Sequence, residues 1–540
     1  MYRCAATLVQ WTDGPNPQVQ PAARRSEYQI LFGIFLIGAL VRLYGLGSQS
    51  FWGDEAYTAM AVSYSWQTLI LTPFDVHPPA YYLIAKAMSV FGVSEVSLRL
   101  FSAVVGSLTI LTTWAVARHV LGPLCGLVAA AFIATSAIHI DFSQEARSYA
   151  FLLLLFSLTL YAGLKMLSIA SAASKSGDTK LPRGWLLIYA VAALISLYTH
   201  TIALVFLATL NGAMLAGYLF QERRWTDRFM ASWLLVNVAV GLAYLPRLLV
   251  MGQTANDFVW LQHISLPDAV YTTLTTFGSN LLPAKVNLLV LAVFAIALIA
   301  LFMRRKIAIA SVLLALCAYP LLVWTIGFVK PIFLDRTILP ALLGWAILIG
   351  AFIAVIRPRP LRIALIVGIV GLNTATALHD LRTSKHADLR TMAAFLDAQV
   401  GDNDAVMFCA PWAYFHVAAY TELDGPLFVW WSNRSLLTPA NAPQLKTYFS
   451  RASGARAAMT DVALIASLNP AKPDIGTPPT ISDGFDRVWY VKSLCGSPPP
   501  ALETILTEAD LSQVAVHPFW QTGITEYTRT DEPSNTAGPD

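Results

Sequence analysis

"ILFGIFLIGALVRLYGLGSQSFWGDEAYTAM", residues Ile30 to Met60, joins an apolar run to two adjacent carboxylates, Asp54 and Glu55. The run from Ile30 to Leu46 is long enough to cross a bilayer. A carboxylate pair at the mouth of a span, with aromatics on both sides, is expensive to keep there unless water, a cation or a substrate meets it. Reading this junction as the outer mouth of a membrane span decides the fold.

The rest of the chain repeats the pattern. Of 540 residues, 56% are hydrophobic and only 13% charged, with a mean hydropathy of +0.58. Soluble domains carry about 25% charged residues. Apolar runs fall near 29–47, 98–118, 122–140, 149–168, 185–199, 201–219, 231–250, 286–303, 307–328, 337–356 and 361–379. They predict a mainly α, polytopic transmembrane helical bundle of about eleven spans. The stretch 185–219 is divided at "YTHT", because one helix of about 35 residues would overspan the bilayer by more than tilt absorbs. The first run starts near residue 28 and lacks an A-x-A site after it, so it reads as an anchor. A net charge of +4 is too small to suggest a nucleic-acid partner.

Lys and Arg set the orientation. With the N-terminal tail, residues 1–27, in the cytoplasm, the cytoplasmic segments hold Arg24, Arg25, Arg118, Lys175 to Arg183, Arg223, Arg224, Arg304 to Lys306 and Arg357 to Arg362. The opposite loops hold Asp54, Glu55, Asp75, Glu95, Asp141, Glu145, Asp257 and Asp335. A multi-pass protein of the plasma (inner) membrane follows, with an odd number of spans and an extracytoplasmic C-terminus.

Residues 28–380 form the membrane domain, including an outer loop at 48–97. Residues 381–527 read as a soluble α/β domain of about 150 residues, large enough for its own core. In it "DLRTMAAFLDAQV" has helical spacing, while "AVMFCAPW" and "RVWYVKSL" read as strands. Residues 528–540 read as a disordered tail. Cys125 and Cys317 lie in apolar runs as buried thiols, and Cys409 and Cys495 can pair if the tail is exported.

The informative polar residues gather on the outer face. The first loop carries "GDEAYTA" and "DVHPPAYYLIAK", and the loop between spans three and four carries "HIDFSQEARSY". His200, Tyr244 and Arg336 lie at other outer edges. Each has an ordinary role available. Acids suit a helix N-terminus, His77-Pro78-Pro79 makes a rigid turn, Arg147 can pair with Glu145, and Arg336 with Asp335. Tyr81 and Tyr82 suit an interface belt. Together, these roles would require acids, His, Arg and Tyr to converge on one face by accident.

The set resembles the GT-C class of membrane glycosyltransferases, near the protein O-mannosyltransferase and aminoarabinose transferase branch (family 39-like). The resemblance covers roughly residues 28–380. It rests on "FWGDEAYTA", "HPPAYYL", "SLRLFSAVVGSLTI", "SQEARSYAFLLLL" and "DRTILPALLGW". It implies a transferase that takes a sugar from a polyprenyl-phosphate carrier on the outer face. This chain has Tyr57-Thr58 where the aminoarabinose branch has Arg-Tyr, and "VHPP" where that branch has Glu-Lys-Pro.

Glycosyl transfer needs a carboxylate to accept the acceptor's proton and cationic groups to meet the charge growing on the leaving phosphate. Asp54 is the expected base. Glu55 orients it or binds metal, and Glu145 is a second acid, with Asp141 its competitor. Arg147, Arg336, His77 and Tyr149 are the expected phosphate contacts. Tyr57, Tyr81, Tyr82, His200 and Tyr244 are candidates for the acceptor pocket. A divalent metal ion, if used, has Glu55, His77 and Asp141 as candidate ligands. The partners are membrane lipid, the polyprenyl-phosphate sugar, and an acceptor that is glycan, lipid or protein. Catalysis is expected to need only residues before about 340, with the C-terminal domain tuning acceptor choice; Trp412, Trp430 and Trp431 either stack on sugar rings or fill the domain's core, the latter favoured for the strand-like "FVWW". The alternatives are a transporter or lipid flippase, which would put ionisable groups at the midplane of repeated halves, and a glycan-binding receptor without catalysis.

Overall fold

The computed structural model describes residues 21–71, 77–176, 183–219, 228–251, 262–304, 306–383, 386–409, 411–421, 427–431, 463–466, 485–493, 495, 498 and 500–529. Residues 1–20, Asp75, Arg223, Arg224, Asp257, Arg305 and the tail from 530 lie outside these, as do the side chains of Trp430 and Trp431. The chain divides into two compact units. The first comprises Met1–Tyr44, Asp75–Tyr81 and Arg99–Thr383. The second comprises Gly45–Phe74, Tyr82–Leu98 and Ser384–Asp540.

The first unit is a helical bundle. Among the described residues, 7 helices are long and apolar enough to cross a membrane, or 8 if one bent pair counts as a single span. Three more of the expected runs form shorter apolar helices: Arg183–Thr199 and Ala203–Leu219 of 17 residues each, and Ala341–Val355 of 15. The stretch 185–219 does divide at "YTHT", with His200 at the break. Pro340 separates Ala341–Val355 from the short helix Asp335–Ile338. Proline lacks the N–H that a continuous helix would use there, so the run 337–356 yields a shortened helix. Close packing relies on small residues. A Cβ on Gly350 would lie 2.5 Å from the Cys125 carbonyl oxygen.

Local sequence explains the turn after Glu95–Leu121. Gly122 takes φ of +85°, which ends that helix without a Cβ clash, and Pro123 opens the next. The helix Pro123–Thr135 then breaks at Ser136 and resumes as Ala137–Ser143 after a bend of 62°. Such a break frees backbone carbonyls that lipid cannot satisfy. Arg42, fully buried, satisfies them. Its guanidinium donates to the carbonyls of Ile133 (2.8 Å) and Ala134 (3.2 Å) and to Ser143 Oγ (3.2 Å), and lies 2.7 Å from His139 Nδ1. Arg42 thereby fixes the bent helix that leads into the Glu145–Arg147 segment.

The second unit holds a 6-stranded mixed sheet in the order β3-β2-β1-β4-β6-β5. The strands are β1 Asp404–Phe408, β2 Leu427–Trp431, β3 Ala463–Ala466, β4 Arg487–Ser493, β5 Leu511–Phe519 and β6 Thr522–Arg529. The first four run parallel and β4-β6-β5 antiparallel. The central strand β1 is buried at every residue, as parallel strands covered on both faces are. "DLRTMAAFLDAQV" is helical as expected, over Leu389–Gln399, with Asp388 accepting from the Thr391 N–H as its cap. "AVMFCAPW" is a strand only as far as Phe408, because Pro411 opens a helix, Pro411–Ala418. Cys409 and Cys495 are joined as a disulfide, with Cα atoms 6.3 Å apart. Cys125 is buried, while Cys317 is partly exposed.

Most of the loop 48–97 falls in the same compact unit as the C-terminal residues from 384 onward. Composition reports which residues are apolar, not which distant segment they meet.

Replacing Arg42 by Met should lower the thermal midpoint of the purified protein. Each orphaned carbonyl costs about 1–3 kcal/mol. A midpoint equal to that of the parent protein would show that the bend does not depend on Arg42.

Candidate active site

The expected site residues fall in both compact units. In the second unit, Asp54 and Glu55 occupy the first turn of the helix Gly53–Ala61. Glu55 turns inward and is fully buried. Its carboxylate accepts the Trp52 N–H at 3.2 Å, satisfying one of the donors that a helix start leaves free. Asp54 stays partly exposed. The two acids therefore differ: one caps the helix, and the other can meet a ligand.

Residues of the C-terminal segment hold this helix and the chain before it. His386 donates Nδ1–H to the Ser50 carbonyl at 2.8 Å and lies 4.0 Å from Glu55 Oε2. The Tyr420 hydroxyl accepts the Phe51 N–H at 2.6 Å and donates to Glu95 at 2.7 Å. Arg390 donates to the same Glu95 oxygen at 2.6 Å and to the Gly47 carbonyl at 3.0 Å. Tyr57 packs edge-on against Phe415 and Tyr82, with ring centroids 5.5 and 6.1 Å apart. His416 lies against Gly53, so that a Cβ there would meet its Nε2 at 3.0 Å. Trp412 is 38% exposed and donates its indole N–H to the Ser493 carbonyl at 3.0 Å.

The first unit gathers the cations. The bend between the helices Ala137–Ser143 and Tyr149–Ser176 carries Glu145 and Arg147. The His77 and His200 rings lie 4.0 Å apart, and His200 is 5.9 Å from Tyr149. Arg336 lies over the Tyr149 ring at 6.0 Å. Arg247, which the sequence reading passed over, donates to the His77 carbonyl at 3.0 Å. The Ile202 N–H donates to His200 Nδ1 at 3.0 Å, leaving Nε2 to carry the ring proton when His200 is neutral. Tyr81 shares a hydrogen bond with Ser102 at 2.9 Å, and Ser102 donates to the Arg147 carbonyl at 3.2 Å. Tyr244 is buried with its ring 5.5 Å from Tyr198, and Asp141 sits partly buried on Ala137–Ser143.

Burial, and then the charges of Arg147, Arg336 and Arg247, hold the His77 imidazole well below its ordinary value, so it is neutral. Three guanidiniums acting on one neutral imidazole suit an anion. The same charges oppose a metal cation at His77. No three His, Cys, Asp or Glu side chains gather into a metal-binding group among the described residues.

Arg247 was readable three residues beyond Tyr244 in "AYLPRLL". His416 and Tyr420 stand in "APWAYFHVAAY", among aromatics that carry no local signal of their distant partners.

Residues 75–250 match the family model described as dolichyl-phosphate-mannose-protein mannosyltransferase. His77, Glu145, Arg147, Tyr149, His200, Tyr244 and Arg247 all fall inside that span. Among curated proteins none matches by sequence. Among solved structures the chain is similar to ArnT from Cupriavidus metallidurans in the apo state, with a TM-score of 0.59 at 12% identity over 93% of this chain and 98% of that one. The same protein bound to undecaprenyl phosphate gives 0.58 at 12%, covering 94% and 99%. The oligosaccharyltransferase AglB from Archaeoglobus fulgidus, in complex with an inhibitory peptide and a dolichol-phosphate, gives 0.51 at 11%, covering 74% and 64%. At these identities the likeness is one of fold.

Burial also lowers the His416 pKa to about 4, with the Asp54 charge pulling the other way. The folded value lies below the unfolded one, so the unfolded chain binds the proton first as pH falls. The stability contribution is complete above about pH 6.5 and should fall progressively towards pH 4, by about 3 kcal/mol in all. Thermal midpoints measured across this window should fall less steeply in His416→Gln than in the parent. Equal slopes would contradict the burial of a neutral imidazole.

Proposed function

We propose that this chain is a membrane glycosyltransferase of the GT-C class that moves a sugar from a polyprenyl-phosphate-linked donor to an acceptor on the extracytoplasmic face, a reading supported by the family-model match and the shared fold. The observation that carries the reading is the arginine cluster around neutral His77, most of it within the segment matched by the family model. A phosphate monoester or diester is the anion such a cluster suits. An open apolar groove of about 510 Å³ between Ala203–Leu219 and Ile307–Ile326 offers a surface compatible with an isoprenoid chain.

The acceptor's hydroxyl or amine attacks the anomeric carbon, forming the new bond as the bond from that carbon to the phosphate oxygen breaks. The electron pair leaves on the phosphate, where Arg147, Arg247 and Arg336 meet the growing charge. The acceptor's proton passes to Asp54, the more accessible of the two adjacent acids. Glu55 holds the helix start and Glu145 is a second acid near the phosphate contacts. Tyr149 supports Arg336. The acceptor is a glycan, lipid or protein.

Two features support the outer face as the side of reaction. Lys and Arg concentrate in the opposite loops, and the Cys409–Cys495 bond suits an oxidising compartment. The proposed topology puts the N-terminus in the cytoplasm of a cell with this protein in its plasma (inner) membrane.

Asp54→Asn should reduce transfer about 100- to 10,000-fold with normal membrane insertion; a variant keeping half the parent rate removes Asp54 from the mechanism. Arg147→Ala and Arg247→Ala should instead weaken binding of a polyprenyl-phosphate sugar, by about tenfold or more each. Unchanged affinity in both would sink the phosphate assignment.

A further inference from the structure

His416 combines three features that a packing residue does not need together. It is 1% exposed, its Nδ1 lies 2.7 Å from Ser493 Oγ, and its Nε2 is buried with no hydrogen-bond partner among the described residues. Ser493, at the end of β4, is itself fully buried, and its carbonyl is held by Trp412. One ring nitrogen is thus anchored to the sheet. The other is directed at the start of Gly53–Ala61, where a Cβ on Gly53 would stand 3.0 Å away. Glycine at that position lets the ring approach the backbone of the turn that bears Asp54.

In the tautomer in which the Ser493 hydroxyl donates to Nδ1, Nε2 carries the ring proton and is a donor. A buried N–H without an acceptor is costly. The nearby anion is Asp54, whose charge acts on the imidazole, one residue beyond the contact. On the far side of the turn, Glu55 is engaged with the Trp52 N–H and faces His386.

We propose that His416, a residue of the C-terminal domain, is a positioning residue for Asp54, with its Nε2–H setting the direction of the Asp54 carboxylate. This rests on the reading of Asp54 as the base. It also makes the C-terminal domain part of the chemical step, whereas the sequence suggested that the domain only tunes acceptor choice. No bond to substrate passes through His416. It acts on where the proton-accepting oxygens stand when the acceptor arrives.

The test uses the full-length protein in detergent or vesicles, with a polyprenyl-phosphate sugar as donor. His416→Phe keeps a ring and removes both nitrogens. It should lower kcat about 10- to 100-fold, the cost of a small misplacement of a reacting group, and leave donor affinity unchanged. His416→Gln, whose amide nitrogen can stand near the Nε2 position, should recover kcat to within about threefold of the parent. Gly53→Ala should impair kcat alone and add little on top of His416→Phe, since both act on one contact. If His416→Phe does not fold, His416→Gln paired with Gly53→Ala carries the test: kcat near the parent's in the first and impaired in the second. Parent-like kcat in His416→Phe, a Gln variant no better than Phe, or a loss confined to donor affinity would each overturn the proposal. Asp54→Asn is measured alongside. If it is inactive while His416→Phe is normal, only the positioning role fails; if it is active, the base assignment fails as well.

Discussion

The carboxylate of Glu95 receives two donors at once, the Tyr420 hydroxyl and the Arg390 guanidinium. The placement of the helix Gly53–Ala61 depends on this contact. Tyr420 in turn accepts the Phe51 N–H, and Arg390 reaches the Gly47 carbonyl. A charged acceptor with charged and neutral donors makes a stronger link than a neutral pair. It ties a loop of the first hundred residues to a segment 295 to 325 residues later. The helix carrying Asp54 and Glu55 begins directly after this tie. The acid pair is therefore held by the C-terminal domain, and the domain's sheet is part of what fixes it.

The two units carry different charged environments. The first unit assembles arginines around a neutral histidine, which suits an anion that arrives and departs. The second holds an acid pair in which one member is spent on the helix start and the other stays partly exposed. Glycosyl transfer requires both kinds of environment, one to receive charge on phosphate and one to receive a proton.

The fold was readable where one segment carries its own signal. Apolar runs gave the helices, and "YTHT" gave the break at His200. The amphipathic spacing of residues 389–399 gave their helix. Leu121-Gly122-Pro123 also ends one helix and starts another by local chemistry alone. Pairings between distant segments were not readable. Nothing local in "APWAYFHVAAY" says that His416 meets Gly53 or that Tyr420 meets Phe51, and its proline starts a helix where the apolar run suggested a strand. Arg42 lies inside the first apolar run without a visible partner in sequence, because its partners are carbonyls freed by a bend about ninety residues later.

The most direct measurement of whether the helix Gly53–Ala61 is built on the C-terminal domain is amide hydrogen exchange of the full-length protein across residues 45–61. It compares the parent with a variant carrying Arg390→Met and Tyr420→Phe. The account predicts that Phe51 and the first turn of Gly53–Ala61 exchange substantially faster in the variant, while the helices of the first unit keep their protection. Unchanged protection of residues 45–61 would contradict it.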